Sequence, residues 1–147
     1  MTVNLSELIG RKVVAVDTAE QIGAIGHVRV DPGTGRITAM TVGKGRKAQV
    51  VSPDAVRAIA GDVVTVTSAA ALREADGDDE RALAGGDRDL LRRRVLTTAG
   101  YEVGAVADCE FDDDGVLQVV RTTEGEHPAA AFRGVGSYAV VVAAADT

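Results

Sequence analysis

The chain repeats itself, and that repeat limits its fold more than any other feature. Ile22-Gly23-Ala24-Ile25 recurs as Val103-Gly104-Ala105-Val106, 81 residues later. From that anchor Val28 falls on Cys109, Val30 on Phe111 and Asp31 on Asp112. Gly35-Arg36-Ile37 then matches Gly115-Val116-Leu117 after the turn contracts by one residue. Near the end of each copy, Pro53 and Gly61 are spaced like Pro128 and Gly136, and each glycine leads into an apolar run. A self-match of this kind means one supersecondary unit used twice. The units span 5–67 and 89–143, with 68–88 between them. At about 60 residues each is large enough to fold by itself.

Within unit one the pattern predicts short strands at 13–17, 22–31, 36–42, 48–52 and 63–67. In the long second strand Val28 and Val30 face one side, and His27 and Arg29 the other. Gly23 and Gly26 interrupt that strand, where glycine marks the bends a small closed barrel requires. Asp31-Pro32-Gly33-Thr34-Gly35 is a turn, because proline presets φ and glycine permits positive φ. Ser52-Pro53-Asp54 starts one helical turn. The fold class is therefore mainly all-β, with two small β-barrels in tandem joined by an acidic, partly helical linker. In that linker 68–75 and 78–84 read as helical turns. Both are shorter than the ~12–15 residues at which an isolated helix becomes marginal, so the linker is expected to be mobile.

The order Leu8-Ile9-Gly10, Ile22-Gly23-Ala24-Ile25, Asp31-Pro32-Gly33-Thr34-Gly35-Arg36-Ile37, Val50-Val51-Ser52-Pro53 and Ile59-Ala60-Gly61-Asp62-Val63 resembles the PRC-barrel family. That family includes the cytoplasmic domain of the photosynthetic reaction-centre H subunit and the C-terminal domain of the ribosome maturation factor RimM. Unit two matches through fewer motifs. It lacks the Pro-Gly-Thr-Gly turn and carries Gly136-Ser137 where unit one has Gly61-Asp62. The resemblance implies a β-barrel adaptor that docks on other proteins. The family has no shared catalytic motif, so it implies no catalytic residue and no cofactor.

The chemistry-bearing residues agree with that expectation. A single cysteine excludes a disulfide framework and a multi-cysteine zinc site. Cys109 falls on a core-facing position, which predicts a buried, inert thiol. His27 and His127 are read as solvated, with no metal partners at local spacing. Asp112-Asp113-Asp114-Gly115 has contiguous acids, unlike the alternating ligands of a calcium loop, and aligns with a turn. The loop 43–47 carries Lys44, Arg46 and Lys47 among glycines, without the Lys-Ser/Thr ending of a phosphate-binding loop. Arg92-Arg93-Arg94 is expected to open the first strand of unit two. No apolar run reaches the ~18 residues of a membrane span. The start of the chain lacks a secretory signal pattern, so a cytoplasmic protein is expected.

Charge divides unevenly along the chain. The formal total of −6 is a net +2 over 1–67, −3 over 68–88 and −5 over 89–147. Equivalent outward positions carry His27 and Arg29 in unit one but Asp108 and Glu110 in unit two. All four aromatic residues, Tyr101, Phe111, Phe132 and Tyr138, lie in unit two. The candidate partner-binding residues are Arg29, Lys44, Arg46, Lys47, Asp108 and Glu110. Two independent barrels with unrelated solvated faces are expected, since exposed pairs contribute only about 0–1 kcal/mol. The alternative is that the unlike faces meet, within one chain or between copies, with salt weakening the contact. The expected function is a non-enzymatic scaffold that docks on a cytoplasmic or membrane-associated complex, with self-association compatible. The alternative is a ribosome or RNA-processing accessory factor. It is disfavoured by the acidic total and by the lack of room in residues 1–4 for a RimM-like N-terminal domain.

Overall fold

A computed structural model describes residues 2–144, apart from the side chain of Arg46. The strands are β1 (Thr2–Asn4), β2 (Lys12–Ala15), β3 (Glu20–Val30), β4 (Ile37–Val42), β5 (Gln49–Val51), β6 (Val56–Ala58), β7 (Val64–Val66) and β8 (Arg73–Glu74). They continue with β9 (Arg94–Thr97), β10 (Glu102–Asp112), β11 (Leu117–Thr122), β12 (Gly125–Pro128), β13 (Phe132–Val135) and β14 (Val140–Val142). Two helices accompany them, α1 (Leu5–Leu8) and α2 (Gly77–Ala84).

Both units use one strand order. The first sheet runs β6-β7-β2-β3-β4-β5-β8 and the second β13-β14-β9-β10-β11-β12. Each contains one parallel pair, Val13↔Val64 in the first and Val95↔Val140 in the second. All other pairs are antiparallel. The tandem repeat seen in the sequence is thus a repeat of topology. The ladder registers correct one detail of it. Val56 faces Val66, and Phe132 faces Val142. This places Phe132 on Val56 and Ala129 on Pro53, so Pro128 corresponds to Ser52. The proline spacing is offset by one residue, because pairing rather than proline position sets register.

The long strands β3 and β10 bend where their glycines lie. Gly23 has φ +154, and a Cβ there would sit 2.5 Å from Val42 Cγ1. Gly104 has φ +103, and a Cβ would sit 2.6 Å from Thr123 Oγ1. The register shifts next to both positions, which lets one strand leave its first partner and join a second.

The units are not two separate cores. Val13, Val28, Val30, Met40 and Val64 belong to the same buried cluster as Val95, Phe111, Val120, Phe132 and Val140. Two exchanges tie the units together. Strand β1 pairs with β10 of unit two through Thr2↔Asp112, Val3↔Phe111 and Asn4↔Glu110. Leu5 and Leu8 follow it into the shared core. At the other junction Arg36 and Val116 form an antiparallel bridge.

The linker departs from its expectation. The segment 68–75 forms a 3-10 turn at Ala69–Ala71 and then β8, instead of two helical turns. Strand β8 covers the edge of β5 through Gln49↔Glu74 and Val50↔Arg73, which satisfies backbone groups a helix would leave open. Helix α2 forms where one was expected, with Asp78, Asp79 and Glu80 in its first turn, where the helix dipole favours acids. Its Leu83 is fully buried against Ala39 and Val50. The segment is anchored by that contact, so the mobility expected from length alone is not what packing gives.

Candidate docking surfaces

Residues of the oppositely charged faces contact other parts of the chain. His27 is not solvated. Its Nδ1 lies 2.6 Å from Asp89 Oδ1 with the side chain only 23% exposed, and its backbone N–H donates to Thr41 Oγ1 at 2.8 Å. Arg29 lies 3.8 Å from Asp79 of α2. On unit two, Asp108 accepts from the Ser6 N–H at 3.0 Å and from the Ser6 hydroxyl. Glu110 pairs with Arg121, which also reaches Glu126 at 3.3 Å.

One rule accounts for both arrangements. The segment just before β2 lies on β10, and the segment just before β9 lies on β3. The equivalent positions His27 and Asp108 therefore meet reciprocal stretches of chain. On both units part of the charged face is thus engaged by the other end of the same chain. Of the six candidate residues, Arg29, Asp108 and Glu110 are engaged within the chain. Lys44 and Lys47 are exposed beside a 3-10 turn at Gly45–Lys47. The Arg46 side chain lies outside the described residues.

The turn readings resolve locally. Asp31 caps its own turn, accepting from Thr34 Oγ1 at 2.9 Å. Asp112 accepts from the N–H groups of Asp114 and Val116, each at 2.9 Å, so this carboxylate is used in shaping a β-turn. Of the three consecutive arginines only Arg94 is in a strand. Arg92 has φ +69, and Arg93 donates to the carbonyls of Gly86, Gly136 and Ser137. The run is thus a chain reversal that enters β9, not a strand from its start. Cys109 is fully buried, and burial pushes its thiol up to about 12, with Asp108 adding to the effect.

The surface that the charge pattern missed is aromatic. Tyr101 and Tyr138 are 72% and 68% exposed. The Arg94 guanidinium lies 4.7 Å from the Tyr138 ring centroid, donates to the Tyr138 hydroxyl at 3.0 Å, and lies 3.6 Å from Glu102. The same registers put Lys12, Glu20 and Asp62 at the positions of Arg94, Tyr101 and Tyr138 in unit one. Both tyrosines follow turn residues, Gly100 and Ser137, outside the alternation that marks inward positions. That placement was the available signal. Tyrosine and arginine are among the residue types enriched at the centres of protein interfaces.

Where the two units cross-bridge, a cleft of about 170 Å³ is lined by residues of both. Its floor is Ile37, Met40, Val51, Pro53, Val56 and Ile59, and its rim holds Arg57, Asp113 and Asp114. Among the described residues no helix is long and apolar enough to cross a membrane.

Comparison with protein families matches residues 1–73 to the PRC-barrel domain. Comparison with curated proteins finds no match.

Proposed function

Residues 1–73 of this chain are a PRC-barrel domain, a sheet of the same strand order follows it at 94–142, and on that premise we propose that the chain is a non-enzymatic docking scaffold. The observation that supports this reading most is the exposed Tyr138–Arg94–Glu102 group. Burying a large aromatic side chain that now faces water is favourable, and truncation at such a centre typically costs ~2 kcal/mol of binding. Unit one has the charged Lys12, Glu20 and Asp62 at the positions of Arg94, Tyr101 and Tyr138, so the two barrels offer a partner different faces. The partner is a protein held within a cytoplasmic or membrane-associated assembly.

The test compares the full chain with the Arg94→Ala/Tyr138→Ala double variant in cross-linked capture from native lysate. The reading expects a defined partner that loses about tenfold or more in the variant, with folding unchanged by circular dichroism. Equal capture of every species by both forms contradicts it.

A further inference from the structure

The side chain of His27 is oriented as well as covered. Its Nδ1 lies 2.6 Å from Asp89 Oδ1, and its backbone N–H is fixed by Thr41 Oγ1. An ionised carboxylate only accepts, so the bond to Asp89 places a proton on Nδ1 and leaves Nε2 as the free nitrogen. Among the described residues no hydrogen bond reaches Nε2. The same ring lines a cavity of about 940 Å³ between α2 and the loop 43–47. That volume lies within the ~300–1,000 Å³ range of small-molecule sites. Lys47 from the loop and Arg81 from α2 line the cavity with His27, and Glu74 is the acid in its wall. Ala75, Ala84 and Gly85 form small-residue stretches of the wall that leave the space open.

We propose that this cavity binds a phosphate group, free or carried by a small organic molecule, through Lys47, Arg81 and His27 Nε2. Lysine supplies a point charge and arginine a planar fork of donors, two complementary ways of holding phosphate oxygens. The imidazole suits the ligand in either form: neutral Nε2 accepts from a P–OH, and protonated Nε2 donates to a phosphate oxygen. Two cations thus stand against the single carboxylate of Glu74. Arg81 also lies 3.7 Å from Asp78, but that carboxylate is fully exposed and competes weakly for it. The negative end of α2 is muted, because the carbonyls of Arg81, Ala82 and Leu83 accept from the N–H groups of Gly85, Asp87 and Gly86. In unit two the equivalent of His27 is Asp108, which Ser6 engages, so the second repeat has no counterpart of this histidine. The site lies on unit one and the linker, so it neither uses the tyrosine surface nor depends on the docking reading.

The experiment follows the imidazole nitrogen signals of the full chain by NMR at constant pH. Inorganic phosphate or glycerol 3-phosphate is added, with sodium chloride at matched ionic strength as the control. His127, in β12 of unit two, is the internal reference. The His27 signals should move along a saturating curve at roughly millimolar strength, with Nε2 moving more than Nδ1. His127 should stay in place, and chloride should move neither ring. Lys47→Ala/Arg81→Ala changes two exposed side chains and should weaken binding at least about fivefold, with the amide signals of the core unchanged. Similar affinities for the two probes identify the free anion as the ligand class, and tighter binding of glycerol 3-phosphate identifies an organic phosphate. A linear drift shared by both histidines, a chloride effect as large as that of phosphate, or wild-type affinity in the double variant would overturn the proposal.

Discussion

Arg36 and Val116 face each other across the junction of the two units as an isolated antiparallel bridge. Beside them Ile37 donates to the Gly115 carbonyl at 2.9 Å, and Leu117 donates to the Gly35 carbonyl at 2.7 Å. The two bonds are images of each other under the internal repeat. The contact has the self-complementary form of a twofold dimer interface, here built inside one chain.

Gly115 is a buried weak point of that junction. Its φ is +79, a left-handed value that costs an L side chain ~1–2 kcal/mol. Gly115→Ala should therefore lower the free energy of unfolding by about that amount in urea titration. The added methyl meets Ile37 and Ile59 at ordinary contact distance, so strain rather than collision sets the size of the loss.

The exchanged N-terminal segment should matter as much as a core element. Leu8 is fully buried in the shared cluster. Leu8→Ala is expected to cost ~2–5 kcal/mol. Deleting 1–4 uncovers the β10 edge at Glu110, Phe111 and Asp112, and light scattering should then detect association through the bared strand.

Acid should loosen the linker in a defined window. Arg73 donates to both Glu80 carboxylate oxygens at 2.6 Å, and that hydrogen bonding holds the Glu80 carboxyl down at about 2. The folded state thus favours ionised Glu80 relative to an ordinary value near 4.5. The stabilisation is present above pH 4.5 and lost as pH falls toward 2. Arg73 is nearly half exposed, so solvent screening leaves about 1 kcal/mol. Glu80→Gln should be less stable than wild type by that amount at pH 7, with the difference shrinking through the window.

Cys109 gives a chemical reading of native-state opening. With its thiol held near 12 and out of water, a disulfide reagent at pH 8 should label it only as fast as the chain opens. Rapid labelling of the folded protein would contradict the burial.

Much of this architecture was legible in residues 22–25 and 103–106, whose glycines mark the same bend in β3 and β10. Cys109 was also placed correctly, because alternation along a strand fixes which side faces the core. The covers on each face were not legible. Nothing local to Ser6 or Asp89 indicates that one lies on Asp108 and the other on His27, since both contacts are long-range products of packing. Strand β8 escaped notice for a related reason, as a two-residue strand exists only because β5 offers it an open edge. The exposed tyrosines belong to an excess of aromatics in unit two that is visible in the sequence, whereas charge patterning points to Arg29, Asp108 and Glu110, which pair within the chain.

The account depends on the two repeats being one body with one core. Residue-resolved NMR through a urea titration tests this directly, following the native signals of Val64 in unit one and Val140 in unit two. A shared core predicts that both vanish at the same urea concentration with the same slope. Loss of one set while the other persists in its native position would contradict it.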